Sequence, residues 1–195
     1  MQSGKLLSLL KDTGAIMDGH FLLTSGRHSN LYIEKFRVLE NPSALDEVCK
    51  EMANIVKDLQ IELVLGAAIG GILIAGGVGR HLGVKHIFSE RVNGKMELRR
   101  GFSIEKGLRV AIVEDIITTG GSVFELINLA KKNCAEIVHV VNLVARNSDE
   151  IDFGVPATAL YMLPSESWEI ESCPLCYEGQ AITQRGRSGK KMEIV

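Results

Sequence analysis

The spacing of apolar residues changes several times along the chain, and each change marks an element. Leu6, Leu7, Leu9 and Leu10 line one face of a short helix that Gly14 closes. Residues 21–33 lose that spacing and read as two short strands joined by a polar turn. Pro42 and Ser43 open a second helix, in which Leu45, Val48, Met52, Ile55, Val56 and Leu59 form one uninterrupted apolar stripe. Leu63, Val64 and Leu65 predict a buried strand, followed by a small-residue turn over 66–71 and an apolar, glycine-rich helix. Further strands are predicted over 84–88, 110–113, 137–145 and 157–163. Between the second and third of these, Val123, Leu126, Ile127 and Ala130 recur at the i, i+3, i+4, i+7 spacing of a helix with one buried face. Strands alternating with helices predict an α/β fold: a central parallel twisted sheet flanked by helices, with ligands at the carboxyl ends of the strands.

Bulk properties narrow this picture. A chain of 195 residues, 46% of them hydrophobic, is long enough for one well-buried domain and short for two. Its 22 basic and 24 acidic residues leave a formal charge of −2, so no general attraction to nucleic acid or to a membrane is expected. There is no run of eighteen apolar residues and no basic, then apolar, leader, which predicts a cytoplasmic protein. Any anion it binds must be held by local groups.

The local groups are concentrated in residues 109–122. An apolar run, Val110 to Val113, leads into Glu114 and Asp115, then Ile116 and Ile117, then a loop of hydroxyls and glycines: Thr118, Thr119, Gly120, Gly121 and Ser122. The turn delivers its amides to a helix N-terminus, whose unpaired N–H groups and partial positive charge favour a phosphate. Gly120 and Gly121 let the backbone approach that anion, and the hydroxyls can donate to it. The two acids beside it suit a sugar diol. A phosphate and a diol held at one strand-to-helix turn describe a ribose 5-phosphate. The glycine spacings of a dinucleotide fold and of a nucleotide-triphosphate loop are both absent.

This stretch resembles the phosphoribosyl-diphosphate signature of the type I phosphoribosyltransferases. Residues 21–29 resemble the F-x-L-x-S-G-x-x-S segment of the orotate phosphoribosyltransferases, which belongs to a small hood over the active site. The resemblance implies one domain over 1–195, with a hood formed mainly by about 1–40 and by the C-terminal segment from about 165 to 195. It implies transfer of a phosphoribosyl group to orotate, with Glu114 and Asp115 on the ribose hydroxyls, residues 117–122 on the 5′-phosphate, and Ala68, Ile69 and Gly70 on the diphosphate. Mg²⁺ is implied as cofactor, carried mainly by the substrate, so that no protein side-chain metal cluster is needed. A homodimer with shared active sites is implied as well. Alternatives of the same fold are a purine-base transferase and a non-catalytic regulator. The first should offer an aromatic face to stack on the base, and the region just after the signature strand lacks Trp and Tyr; the second should carry a DNA-reading segment, and no basic helix is visible ahead of residue 20.

The remaining candidates are cations and cysteines. Glu90, Arg91, Lys95, Glu97, Arg99 and Arg100, broken by Asn93-Gly94, suggest a mobile charged loop. In the family such a loop closes over the diphosphate, which makes Arg91 and Lys95 candidates for stabilising the leaving group, although Val92 and Glu97 depart from the family's basic pattern. Arg146, at the end of its strand, is the candidate for the orotate carboxylate, with Thr118 adding a hydroxyl contact. The five histidines show no ligand spacing and are expected to be structural or superficial. Cys173 and Cys176 form a C-x-x-C pair, half of a zinc site without a second half in the sequence. Arg185, Arg187, Lys190 and Lys191 mark a polar, loose tail.

Overall fold

A computed structural model describes residues 3–23, 25–146, 151–163 and 166–183. Its main sheet has six strands in the order β5-β4-β3-β6-β7-β8. These are β3 (Leu63–Ala67), β4 (Lys85–Val92), β5 (Lys95–Leu98), β6 (Arg109–Ile117), β7 (Glu136–Ala145) and β8 (Ala157–Met162). All neighbours are parallel except β5, which returns antiparallel to β4 at the edge. The chain starts in the middle of the sheet at β3, winds outward to β4 and β5, then crosses to the far side of β3 at β6. That reversal opens a crevice between the carboxyl ends of β3 and β6, the place where sheets of this kind bind ligands.

Burial explains the assignment of the central strands. Every residue of β3 is buried, as is the run Val110 to Asp115 in β6, so continuous apolar sequence rather than alternation marks them. Helices cover both faces. On one lie α1 (Ser3–Asp12), α3 (Pro42–Val56) and α4 (Gly70–Leu82), whose buried Leu6, Leu10, Val48, Met52, Ile74 and Val78 meet Val113, Val141 and Leu143. On the other lies α5 (Gly121–Lys132), which sets Val123, Leu126, Ile127 and Ala130 against Leu65, Ile112 and Val140. Asn41 caps α3, its side chain accepting from the Ala44 amide at 3.1 Å, and Pro42 occupies the first turn as the sequence predicts.

A second, three-stranded sheet, order β1-β2-β9, is made by β1 (Ile16–Leu22), β2 (His28–Ile33) and β9 (Ser167–Trp168). The chain passes from it to α3 through a single turn, α2 (Phe36–Leu39), and after β9 it continues through a 3₁₀ turn (Ile170–Ser172) into α6 (Pro174–Tyr177). Among the described residues no helix is long and apolar enough to cross a membrane.

The structure departs from the sequence reading at the charged stretch. Residues expected to be a mobile loop form the hairpin β4–β5, with Arg91 opposite Met96 and Val92 opposite Lys95. Asn93 and Gly94, both at positive φ (48° and 81°), make its two-residue turn. Asn-Gly is the preferred pair for such turns because both residues tolerate the left-handed region. Arg185, Arg187, Lys190 and Lys191 lie outside the described residues, as does Thr24 within the predicted hairpin.

Candidate active site

The carboxyl end of β6 carries Glu114 and Asp115, 7% and 3% exposed. Two neighbouring carboxyl groups at this depth need partners, and they find different ones. Asp115 Oδ2 pairs with the Lys35 ammonium at 2.6 Å, and its Oδ1 accepts from the Ile116 amide at 2.6 Å. Glu114 Oε1 accepts the Asp115 amide at 2.9 Å. Burial, reinforced by the negative charge of Asp115, pushes the Glu114 carboxyl up to about 8, the nearby Lys35 offsetting only part of this. The pair is therefore unequal: Asp115 carries the lysine contact, and Glu114 is the carboxyl whose burial favours its protonated form.

Beyond the acids, Thr118 and Thr119 are exposed and Gly120 is the N-cap of α5, at φ 77°. A side chain there would be strained, and its Cβ would stand 2.8 Å from the Phe153 ring. No side chain caps α5, so its first amides remain available to a ligand. A cavity of about 250 Å³ opens at this point, lined by Arg91, Glu114 and residues 116–123.

Residues 68–70 reach the same place from β3. The Ala68–Ile69 peptide is cis, and Gly70 begins α4 directly against the acid pair: a Cβ on Gly70 would fall 1.7 Å from Asp115 Oδ2 and 3.4 Å from Lys35 Nζ. Only glycine lets the helix start so close to the carboxylate. Deeper in, the missing side chains serve packing, since a Cβ on Gly66 would meet the Gly71 carbonyl oxygen at 2.4 Å.

Arg91 and Lys95 separate. Arg91 lies on the phosphate-loop cavity of its own chain, held by Glu125 at 3.0 Å and by the Gly94 carbonyl at 2.7 Å. Lys95, on β5, is exposed and does not line that cavity. Arg146 follows β7, its amide donating to the Ile117 carbonyl at 2.9 Å, which sets it next to the end of β6. It is half-buried; burial lowers its pKa while Tyr32 of β2 acts in the opposite direction. A larger cavity, about 660 Å³, lies between Ile117, β7 and β8 and the segment 151–156. Its lining includes Asn142, whose Nδ2 is buried without a hydrogen-bond partner among the described residues.

Sequence reasoning missed Lys35 and Tyr32. Both sit at the end of the small sheet, where the only available signal was a buried acid pair with no cation assigned to it.

Comparison with known proteins agrees with this geometry. Residues 37–153 match the model of the phosphoribosyl transferase domain. An orotate phosphoribosyltransferase of Caldicellulosiruptor bescii is 42% identical over 97% of this chain and 100% of its own length. The chain belongs to the orotate phosphoribosyltransferase family. A crystal structure of the orotate phosphoribosyltransferase from Aeropyrum pernix superimposes with a TM-score of 0.69 at 26% identity, covering 81% of this chain and 93% of that one. The UMP synthase of Leishmania donovani gives a TM-score of 0.71 at 26% identity, covering 84% of this chain; this chain spans 37% of that longer protein. The mixed, largely parallel sheet flanked by helices is thus the type I phosphoribosyltransferase fold.

Proposed function

We propose that this orotate phosphoribosyltransferase family member transfers the 5-phosphoribosyl group of phosphoribosyl diphosphate to orotate, yielding orotidine 5′-monophosphate and diphosphate in pyrimidine nucleotide synthesis. The observation that carries this reading is the junction of β6 and α5: a lysine-paired acid, a second buried acid beside it and an uncapped helix N-terminus on one crevice, with an arginine one strand away. A purine-base transferase is not favoured, because the relative matched over nearly the whole chain is an orotate enzyme.

The reaction breaks the bond from the anomeric carbon to the diphosphate oxygen and joins that carbon to the orotate ring nitrogen, whose proton is released. Positive charge grows on the ribose ring while negative charge grows on the leaving group, so positioning and electrostatics supply the catalysis. The Thr118 to Ser122 loop and the amides of α5 hold the 5′-phosphate. Asp115 accepts from a ribose hydroxyl and places its negative charge beneath the ring. Glu114, carrying a proton, can donate to one hydroxyl oxygen as well as accept. Ala68, Ile69 and Gly70 offer backbone to the diphosphate, and Arg91 neutralises it from the same chain.

The site fits Mg²⁺ arriving with the substrate. Asp115 is engaged by Lys35 and Glu114 holds a proton, so the two acids are too poor a donor set for an all-protein cage, whereas diphosphate and ribose oxygens complete one. When bound, the ion supplies charge neutralisation on the diphosphate.

The small sheet acts as a hood, bringing Tyr32 and Lys35 over the crevice. A cytoplasmic homodimer is part of the same reading. It is supported by the exposed Ile69 (74%) and Leu73 (48%) at the start of α4, an apolar face that a second chain would cover. With Arg91 on its own chain's cavity, Lys95 is the loop cation left to reach the neighbouring site.

Replacement of Arg146 tests the substrate. The guanidinium offers orotate's carboxylate a two-donor fork. Losing a charged hydrogen bond of roughly 1.5–3 kcal/mol should raise the orotate KM or lower turnover by an order of magnitude or more in Arg146→Ala. Binding of phosphoribosyl diphosphate, read by calorimetry, should stay nearly constant. Equal weakening of both substrates, or of neither, would remove Arg146 from the base site.

A further inference from the structure

Away from the crevice, two histidines and two cysteines from distant parts of the chain converge. His20 of β1, His28 of β2, and Cys173 and Cys176 at the start of α6 each direct one ligand atom to a common point, all four atoms lying within 4.8 Å of one another. Sulfur-to-nitrogen separations are 3.6 Å (Cys173 to His20 Nε2), 3.7 Å (Cys176 to His20 Nε2) and 3.3 Å (Cys176 to His28 Nδ1). A tetrahedron with Zn–S near 2.3 Å and Zn–N near 2.0–2.1 Å has sulfur–nitrogen edges of about 3.5 Å. We propose that these four side chains are a structural zinc site.

The chemistry around the cluster agrees. His20 Nδ1 lies 2.6 Å from the Gln180 carbonyl oxygen, which can only accept, so Nδ1 carries the proton and Nε2 turns a lone pair toward the other three groups. Anchoring the far ring nitrogen on a carbonyl is the usual support for a metal-bound imidazole. His20 Nε2 and His28 Nδ1 stand 2.7 Å apart, about half an ångström less than a tetrahedral edge between two nitrogens, so an entering ion needs only a small opening. His20, His28 and Cys173 are buried, and Cys176 closes the set on the solvent side. Four soft and borderline donors in two-sulfur, two-nitrogen array select Zn²⁺ over Mg²⁺. With every position taken by protein, the ion has no place for substrate and is structural.

The need for a staple is visible in the segment itself. Across 166–183, Cys173 is the sole buried residue. The segment is fixed to the small sheet by the two-residue β9, by Arg27 contacts to Ser167 and Glu169, and by bonds between Thr183 and His20. Ordering each residue costs backbone entropy, which so few apolar contacts do not offset. Zinc binding contributes its free energy directly to folding in such core-poor units.

The test uses the full-length chain, expressed with zinc in the medium and purified reduced and without chelator. Elemental analysis should find one zinc per chain, lost in the Cys173→Ser, Cys176→Ser double variant and in His20→Asn. Wild-type protein exchanged with Co²⁺ should show the intense visible bands of a tetrahedral ion and thiolate-to-metal charge transfer, a readout that requires no variant to fold. Chelation should expose 166–183 to a protease before the rest of the chain. Substoichiometric zinc, a Cys173–Cys176 disulfide in freshly purified protein, an octahedral cobalt spectrum, or full zinc in the double variant would each overturn the proposal.

Discussion

Replacing Glu114 by glutamine should change how stability depends on pH, because the folded protein holds a proton on this carboxyl that the unfolded chain releases. The group's value rises from 4.5 to about 8 on folding, chiefly by burial and then by the charge of Asp115. A raised acid favours the folded state only while it is protonated in both. As pH climbs past 4.5 the unfolded chain gives up its proton and the folded one does not, so stability falls, by one tenfold change in the folding equilibrium per pH unit, until the folded group also ionises near 8. Between pH 5.5 and 8 the loss integrates to about 3 kcal/mol. Glutamine retains the oxygen that accepts the Asp115 amide and removes the ionisation. Urea unfolding of both proteins at half-unit steps should therefore show the variant gaining on the wild type as pH rises, with the other titrating groups cancelling in the difference. A stability difference that is flat from pH 5.5 to 8 would show that Glu114 ionises normally, and the division of labour between the two acids would fall with it.

Asp115→Asn should keep its circular-dichroism spectrum and lose at least a hundredfold in turnover, since the amide neutralises a charge set against the developing ribose cation, an effect of about 2.7–4 kcal/mol for a comparable electrostatic contact. Near-normal activity would refute the assignment of the loop. Gly120→Ala should destabilise the fold by about 1–2 kcal/mol through its left-handed backbone and its collision with Phe153, and weaken phosphoribosyl diphosphate more than orotate; denaturation curves and calorimetry read the two effects separately. Light scattering should report a dimer, and mixing a Lys95→Ala chain with an Asp115→Asn chain should restore activity. Mixing Arg91→Ala with Asp115→Asn should restore none, because Arg91 lines its own chain's cavity beside Glu114, the neighbour of Asp115.

The crevice was legible because its chemistry is local. An apolar run, two acids, hydroxyls and glycines follow one another over fourteen residues of β6 and α5, and each type has a reason for its place. The hairpin was harder to read. In β5, Met96 and Leu98 pack against the core while Lys95 is exposed and Glu97 half-exposed, so at a sheet edge a strand of four residues shows the same composition as a loop. Its Asn-Gly was present as a turn signal and was read as flexibility. Lys35 escaped for a different reason: an ion pair across the fold leaves no period in the sequence. The C-x-x-C pair was legible as half of a zinc site, but the two histidines of the cluster escaped in the same way as Lys35, since His20 and Cys173 stand 153 positions apart and spacing rules see only neighbours.

Strand β2 links the histidine–cysteine cluster to the crevice. His28, at its start, belongs to the histidine–cysteine cluster, and Tyr32, four residues and about 13 Å further along, acts on Arg146. Lys35 follows one turn later and holds Asp115. A strand fixed at one end by side chains from the C-terminal segment presents its other end to the crevice at a set depth. β1 pairs with β2 along its length, from Leu22 opposite His28 to Ile16 opposite Ile33, and the Glu34 amide donates to the Ala15 carbonyl, so the hairpin as a whole sets that depth while β9 joins it at His28 and Ser29. The paired strand from His28 to Ile33 is therefore the physical path that connects the histidine–cysteine cluster at one end with the Lys35–Asp115 ion pair just beyond the other.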